Sequence, residues 1–131
     1  MATVDYAILC EQIRVSPEGA VSLDTLINAV VIDTFPTTAP PLSVHVKLSG
    51  ESGEHVSVQL ILADPNGQPI GATDESSGPL AATANGDRAG GMMNFTIADG
   101  CLSAPGLYSM NVFLCGTLVQ SLPLHVRTPR A

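Results

Sequence analysis

An all-β fold is what this sequence predicts, an antiparallel two-sheet β-sandwich of about seven or eight strands, and three observations carry it. First, two runs alternate strictly. Leu42, Val44, Val46 and Leu48 interleave with Ser43, His45, Lys47 and Ser49, and Val56, Val58, Leu60 and Leu62 interleave with Ser57, Gln59, Ile61 and Ala63. Such a period of two gives each strand one buried and one wet face. Second, twelve glycines and ten prolines are spread along the 131 residues, as punctuation between short strands. Third, Pro105–Val126 reads as a closing pair of strands joined at Gly116-Thr117. Tyr108, Met110, Val112 and Leu114 fall on one face of the first, and Leu118, Leu122, Leu124 and Val126 on one face of the second.

The remaining elements follow in order. Residues 4–14 read as a strand with apolar groups on both faces, as expected for one lying deep in a sandwich. Ser16-Pro17-Glu18-Gly19 is a turn. Residues 20–34 contain neither Gly nor Pro after the turn, and their β-branched content favours a strand, broken by a bulge near Asn28; a helix over 22–32 is the competing reading. Three prolines in 35–41 remove ladder donors and force an irregular segment. The two alternating strands are separated by Glu51-Ser52-Gly53-Glu54, and Asp64-Pro65-Asn66-Gly67 is a tight turn after the second. Residues 71–91 are rich in Gly, Ala, Ser and Thr and read as a long connection that can hold small strands, with Leu80 as its anchor. Met93, Phe95 and Ile97 mark a strand at 92–98. One domain over residues 1–127 with a tail at 128–131 accounts for the whole chain.

Composition narrows the function. Twelve acidic against five basic residues give a net charge of −7, so neither nucleic acid nor an anionic membrane is an expected partner. No apolar run approaches the ~18–20 residues that span a bilayer. The N-terminus lacks the basic and long apolar regions of a signal peptide. Cys10, Cys101 and Cys115 make an odd count without metal-type spacing. A cytoplasmic location with reduced thiols is the expectation.

Candidate chemistry is sparse. His45 is expected on the wet face of its strand. If the strands at 42–49 and 56–63 pair as a hairpin, His45 and His55 lie more than ~10 Å apart, too far to share a metal. His125 has no carboxylate near it in sequence. Cys10 and Cys115 are expected in the core, because neither has a local base or cation to lower its pKa, and Cys101 is the thiol expected to be exposed. Glu51, Glu54, Asp74 and Glu75 sit in polar loops and are expected to be solvated. Nucleophile-elbow, zincin and phosphate-loop patterns are absent from the sequence. No catalytic residue, metal or cofactor is therefore assigned.

The segments DYAILCEQ (5–12), LDTLINAVVIDTFP (23–36), LSVHVKL (42–48), HVSVQLILADPNGQPI (55–70) and PGLYSMNVFLCGTLVQSLPLHV (105–126) together resemble a family of uncharacterised bacterial proteins known as a domain of unknown function. That resemblance implies a small β-sandwich and transfers no activity. The last hairpin also resembles that of immunoglobulin-like domains, where Gly-x-Tyr opens the penultimate strand.

The function expected on these grounds is a non-catalytic module acting through protein–protein contacts or self-assembly. Ile61, Leu107 and Phe113 place apolar side chains opposite their core stripes, and Phe35 before Pro36 either caps the core or stands as a partner anchor. The alternative is a small-ligand-binding sandwich with 71–91 as a lid over an apolar pocket.

Overall fold

The computed structural model describes residues 1–80, 89–98 and 100–129. Among them are twelve strands and no helix, which disposes of the helical reading of 22–32. They are β1 (Thr3–Val15), β2 (Val21–Leu26), β3 (Ala29–Val31), β4 (Thr37–Thr38), β5 (Leu42–Gly50), β6 (His55–Ala63), β7 (Pro69–Ala72), β8 (Ser76–Pro79), β9 (Ala89–Ile97), β10 (Cys101–Leu102), β11 (Gly106–Leu114) and β12 (Thr117–Arg127). The count exceeds the expected seven or eight because five pieces, β3, β4, β7, β8 and β10, are only two to four residues long. Periodicity cannot register strands that short.

Two sheets face each other. The first has the order β2-β1-β5-β9; the second runs β3-β12-β11-β6-β7, with β8 also on β6. β4 and β10 form a separate two-stranded ladder, so a short strand interrupts the irregular proline-rich segment. Pairing is antiparallel except between β3 and β12, which run parallel.

The alternating strands do not pair with each other as the hairpin reading supposed. β5 lies in the four-stranded sheet and β6 in the six-stranded one. The turn at 51–54 is therefore a crossover between layers, held by Glu54 N–H to Glu51 O at 3.0 Å and by Glu54 Oε2 accepting from Ala2 N–H at 2.7 Å. At Gly50 a Cβ would lie 2.8 Å from both Leu80 Cδ1 and Glu54 Oε1, so the glycine gives the anchor Leu80 room to seat there. Leu80 is indeed buried.

The long apolar run at 20–34 changes sheets partway. β2 pairs with β1, Ile27 N–H still bonds to Leu9 O, and the next residue, Asn28, accepts from His125 N–H before β3 joins β12. The anticipated interruption near Asn28 is this switch. The expectation that β1 is deeply buried holds for Ala7, Leu9 and Cys10 only; its ends project to solvent.

The core is aliphatic. Leu42, Val44, Val46 and Leu48 of one layer meet Val56, Val58, Leu60 and Leu62 of the other, with Tyr108, Met110, Val112, Leu124 and Val126 beside them. Burial of each large side chain contributes roughly 1.5–3 kcal/mol. Tyr108 satisfies its hydroxyl inside this core by donating to Ala104 O, four residues back, at 2.7 Å. Leu118 departs from the expected inner stripe and is exposed. Its register explains why: Val112 pairs with Gln120 but Phe113 with Leu118, so the extra residue, Val119, forms a bulge that turns Leu118 outward.

Candidate functional site

Alternation along β11 and β6 turns one set of side chains away from the core. Phe113 stands beside Leu118 and Gln59. Asn111 stands between Ser121 and Ile61, with Ala72 beyond. Ser109 lies between Pro123 and Ala63, and Leu107 is next to His125 and then Ala29. The outer face of the six-stranded sheet is therefore continuous across five strands. Three of the four residues singled out from sequence, Ile61, Leu107 and Phe113, are brought together on it.

Charge sets this face apart. In a chain of net charge −7, its central rows hold neither a carboxylate nor a lysine. Arg127 and His55 mark its two ends. Leu107 is 55% exposed and Leu118 50%, while Ile61 and Phe113 are half-buried by their neighbours. Its polar groups are partly matched among themselves. Ser121 Oγ donates to Asn111 Oδ1 at 2.8 Å, and Gln59 Nε2 donates to Thr73 O at 3.1 Å. Ser57 Oγ is buried without a hydrogen-bond partner among the described residues. Leu118 also belongs to the face but escaped the sequence reading, which continued the alternation through β12 without the bulge.

Phe35 is not part of this surface. It lies in the connection between β3 and β4, after which a cis bond leads into Pro36, and it packs half-buried against the core.

The opposite outer face, on the four-stranded sheet, corrects the reading of His45 as a wet residue. His45 is 2% exposed. β5 is central, so its neighbours on β1 and β9 close over it: Nδ1 meets Asn94 Oδ1 at 2.7 Å, Nε2 meets Tyr6 Oη at 3.3 Å, and the Tyr6 ring leans on the imidazole at a centroid distance of 5.7 Å. Around it Ser43 bonds Thr96 at 3.1 Å, Ser49 Oγ donates to Asp5 Oδ1 at 2.7 Å, and Lys47 lies 3.9 Å from Asp5. Only the strand order could have revealed this network. His55 is exposed and His125 half-buried.

The thiols also divide differently from expectation. Cys10 is buried, and desolvation pushes its pKa up, with a backbone hydrogen bond at Gln12 opposing and Asp24 assisting. Cys101 is exposed as expected. Cys115 is exposed rather than in the core. It and Gly116 form the two-residue turn between Leu114 and Thr117, with φ of 51° and 82°, and that tight turn carries the side chain out of the sandwich. All three thiols are free. Among the described residues no three His, Cys, Asp or Glu side chains gather as metal ligands. No helix there is long and apolar enough to cross a membrane.

Of the 71–91 connection, residues 81–88 lie outside the described residues, and the preceding part is held as β7 and β8 on β6. An open cleft of about 760 Å³ lies between 72–76 and the strand β9, lined by polar groups including Asp74, Glu75 and Asn94.

Strand order, the two facing layers and the aliphatic core define a two-layer β-sandwich. The chain belongs to a family of unknown function, DUF6941, whose model matches residues 5–127. No curated protein matches it. Among solved structures it is similar to a β-glucosidase from Listeria innocua in complex with isofagomine, with a TM-score of 0.55 at 15% identity over 96% of this chain and 17% of that one. It is also similar to the alkylpurine DNA glycosylase AlkC of Pseudomonas fluorescens bound to DNA containing an abasic site analog, with a TM-score of 0.48 at 13% identity over 92% of this chain and 30% of that one. A third, DesR, a β-glucosidase from Streptomyces venezuelae in complex with D-glucose, gives 0.40 at 20% identity over 71% of this chain and 14% of that one. The chain thus spans less than a third of each of these proteins. The first likeness concerns the fold alone.

Proposed function

We propose that this chain is a non-catalytic interaction module of the cytoplasm that associates with a second copy of itself through the outer face of β12, β11 and β6. The observation that carries this reading is the uncharged, partly apolar centre of that face in a strongly acidic chain. Interface cores are depleted of charge in the same way. Two chains of charge −7 repel through most of their surface, and an uncharged face is where they can approach at least cost. The three long strands project to about 30 by 14 Å, and the short β3, β7 and β8 beside them widen the face toward the roughly 800 Å² per partner of a standard interface.

An immunoglobulin-like reading of the sandwich accords with this role. It is supported by the layering of β1-β5-β9 against β12-β11-β6-β7 and by the Tyr108 hydroxyl bonded back to Ala104 at the start of β11. A non-catalytic role is supported by the thiols. Among the described residues no hydrogen bond joins Cys101 or Cys115 to a base, and His45 is enclosed by Tyr6 and Asn94. The alternative, a small apolar ligand beneath 71–91, has less support, because the cleft beside β9 is open and polar.

Sedimentation of the wild-type chain against Phe113→Glu tests the reading. A dimer that the substitution dissociates is expected; a wild-type chain that stays monomeric at high concentration contradicts it.

A further inference from the structure

Among the described residues the sheet edges are guarded with one exception. A free edge offers unpaired N–H and C=O groups to another chain, and proteins blunt it with charge, proline, bulges or brevity. β2 carries Asp24, ion-paired to Arg14 at 2.7 Å, and β3 has only three residues. β12 beyond the reach of β3 carries Pro123 and the bulge at Val119. β7 and β8 carry Pro69 and Pro79 and are four residues each.

β9 has none of these devices. Its nine residues, AGGMMNFTI, contain no proline and no charge. They pair with β5 in an unbroken register from Leu42–Ile97 to Gly50–Ala89. On the other side no backbone bond is made among the described residues. That side opens onto a groove whose two lips run antiparallel. Residues 72–76 face 94–98 across the cleft of about 760 Å³, and 77–80 face 90–93 across one of about 220 Å³ floored by Leu48 and Val56. Asp74 and Glu75 stand on the far lip, and neither is in an ion pair among the described residues.

We propose that β9 is a strand-addition site for an extended peptide segment that carries Lys or Arg. The segment hydrogen-bonds along the outer edge of β9 as a fifth strand of the sheet and sets its basic side chains against Asp74 and Glu75. Main-chain bonds give such a complex its affinity and alternate side chains its specificity. The acidic lip selects a basic segment over a second copy of this chain, whose charge of −7 adds repulsion. β9 lies in the sheet opposite the face of β11 and β12, so this site stands whether or not the chain dimerises through that face.

Selection from a library of random nine-residue peptides, followed by hydrogen exchange of the complex with the best binder, tests the proposal. Selected sequences enriched in Lys and Arg and slowed amide exchange across 89–97 are expected. Replacing the peptide's basic residues by Glu, or the protein's acids by Asp74→Lys with Glu75→Lys, should weaken binding by about tenfold or more, whereas Phe113→Glu should not. Failure to select any binder, selection without a basic bias, or protection confined to other strands overturns it. So does self-association that survives Phe113→Glu and protects β9 in the protein alone, which would assign the edge to a second copy.

Discussion

The two outer faces of this sandwich are built from the same alternation, yet they dispose of their polar groups in opposite ways. On the four-stranded sheet, Tyr6, His45 and Asn94 bond one another, Ser43 bonds Thr96, and Asp5 takes both Ser49 and Lys47. That face is closed upon itself. On the six-stranded sheet, Leu107, Leu118 and Pro123 project beside Phe113 and Ile61, and the middle rows are free of charge. A face that already satisfies itself gains little from a partner; an uncharged, partly apolar one gains apolar burial.

The largest expected effect is on association. Phe113→Glu or Ile61→Lys would bury a charge in the proposed dimer interface and should weaken self-association by about 30-fold or more, corresponding to at least about 2 kcal/mol, in sedimentation equilibrium. Lys47→Glu, on the other face, should leave it unchanged. If both faces responded alike, the contrast between them would be lost.

A comparable effect, now on stability, is expected in the His45 network. His45→Ala leaves Tyr6 Oη and Asn94 Oδ1 without their partner and should cost about 1–3 kcal/mol in urea unfolding. Asn111→Ala, which removes one partly exposed bond to Ser121, should cost no more than about 1 kcal/mol. Equal losses would show that the two faces are equally self-reliant.

Cys10 adds a pH dependence to the four-stranded sheet. Its folded pKa is raised, chiefly by burial, above that of the unfolded thiol. Its contribution is complete below the unfolded thiol's ordinary value near 8.5 and is lost as pH rises toward the folded value. Alkaline unfolding should therefore be shallower in Cys10→Ser than in wild type. Thiol labelling of the native chain should modify Cys101 and Cys115 and spare Cys10. The smallest effect belongs to Lys47→Ala, less than about 1 kcal/mol, because its pairing with Asp5 is solvent-screened.

The core was legible in the sequence because period-two alternation is a property of a single strand. The buried stripes of β5, β6 and β11 can all be read from one strand at a time. Partnership between strands is not local, and the failures lie there. β5 and β6 look like a hairpin but cross between layers, His45 looks wet until β1 and β9 are set beside it, and β3 becomes parallel to β12 only after the chain changes sheets at Asn28. The outer face was visible in Ile61, Leu107 and Phe113, whereas Leu118 needed the bulge opposite Phe113 to be known.

Sedimentation equilibrium of the wild-type chain beside Phe113→Glu and Lys47→Glu tests self-association through the six-stranded face most directly. A concentration-dependent species of twice the chain mass is expected for wild type and Lys47→Glu, with a shift to the single chain mass for Phe113→Glu. A single chain mass for all three, or a dimer indifferent to Phe113→Glu, would contradict the account.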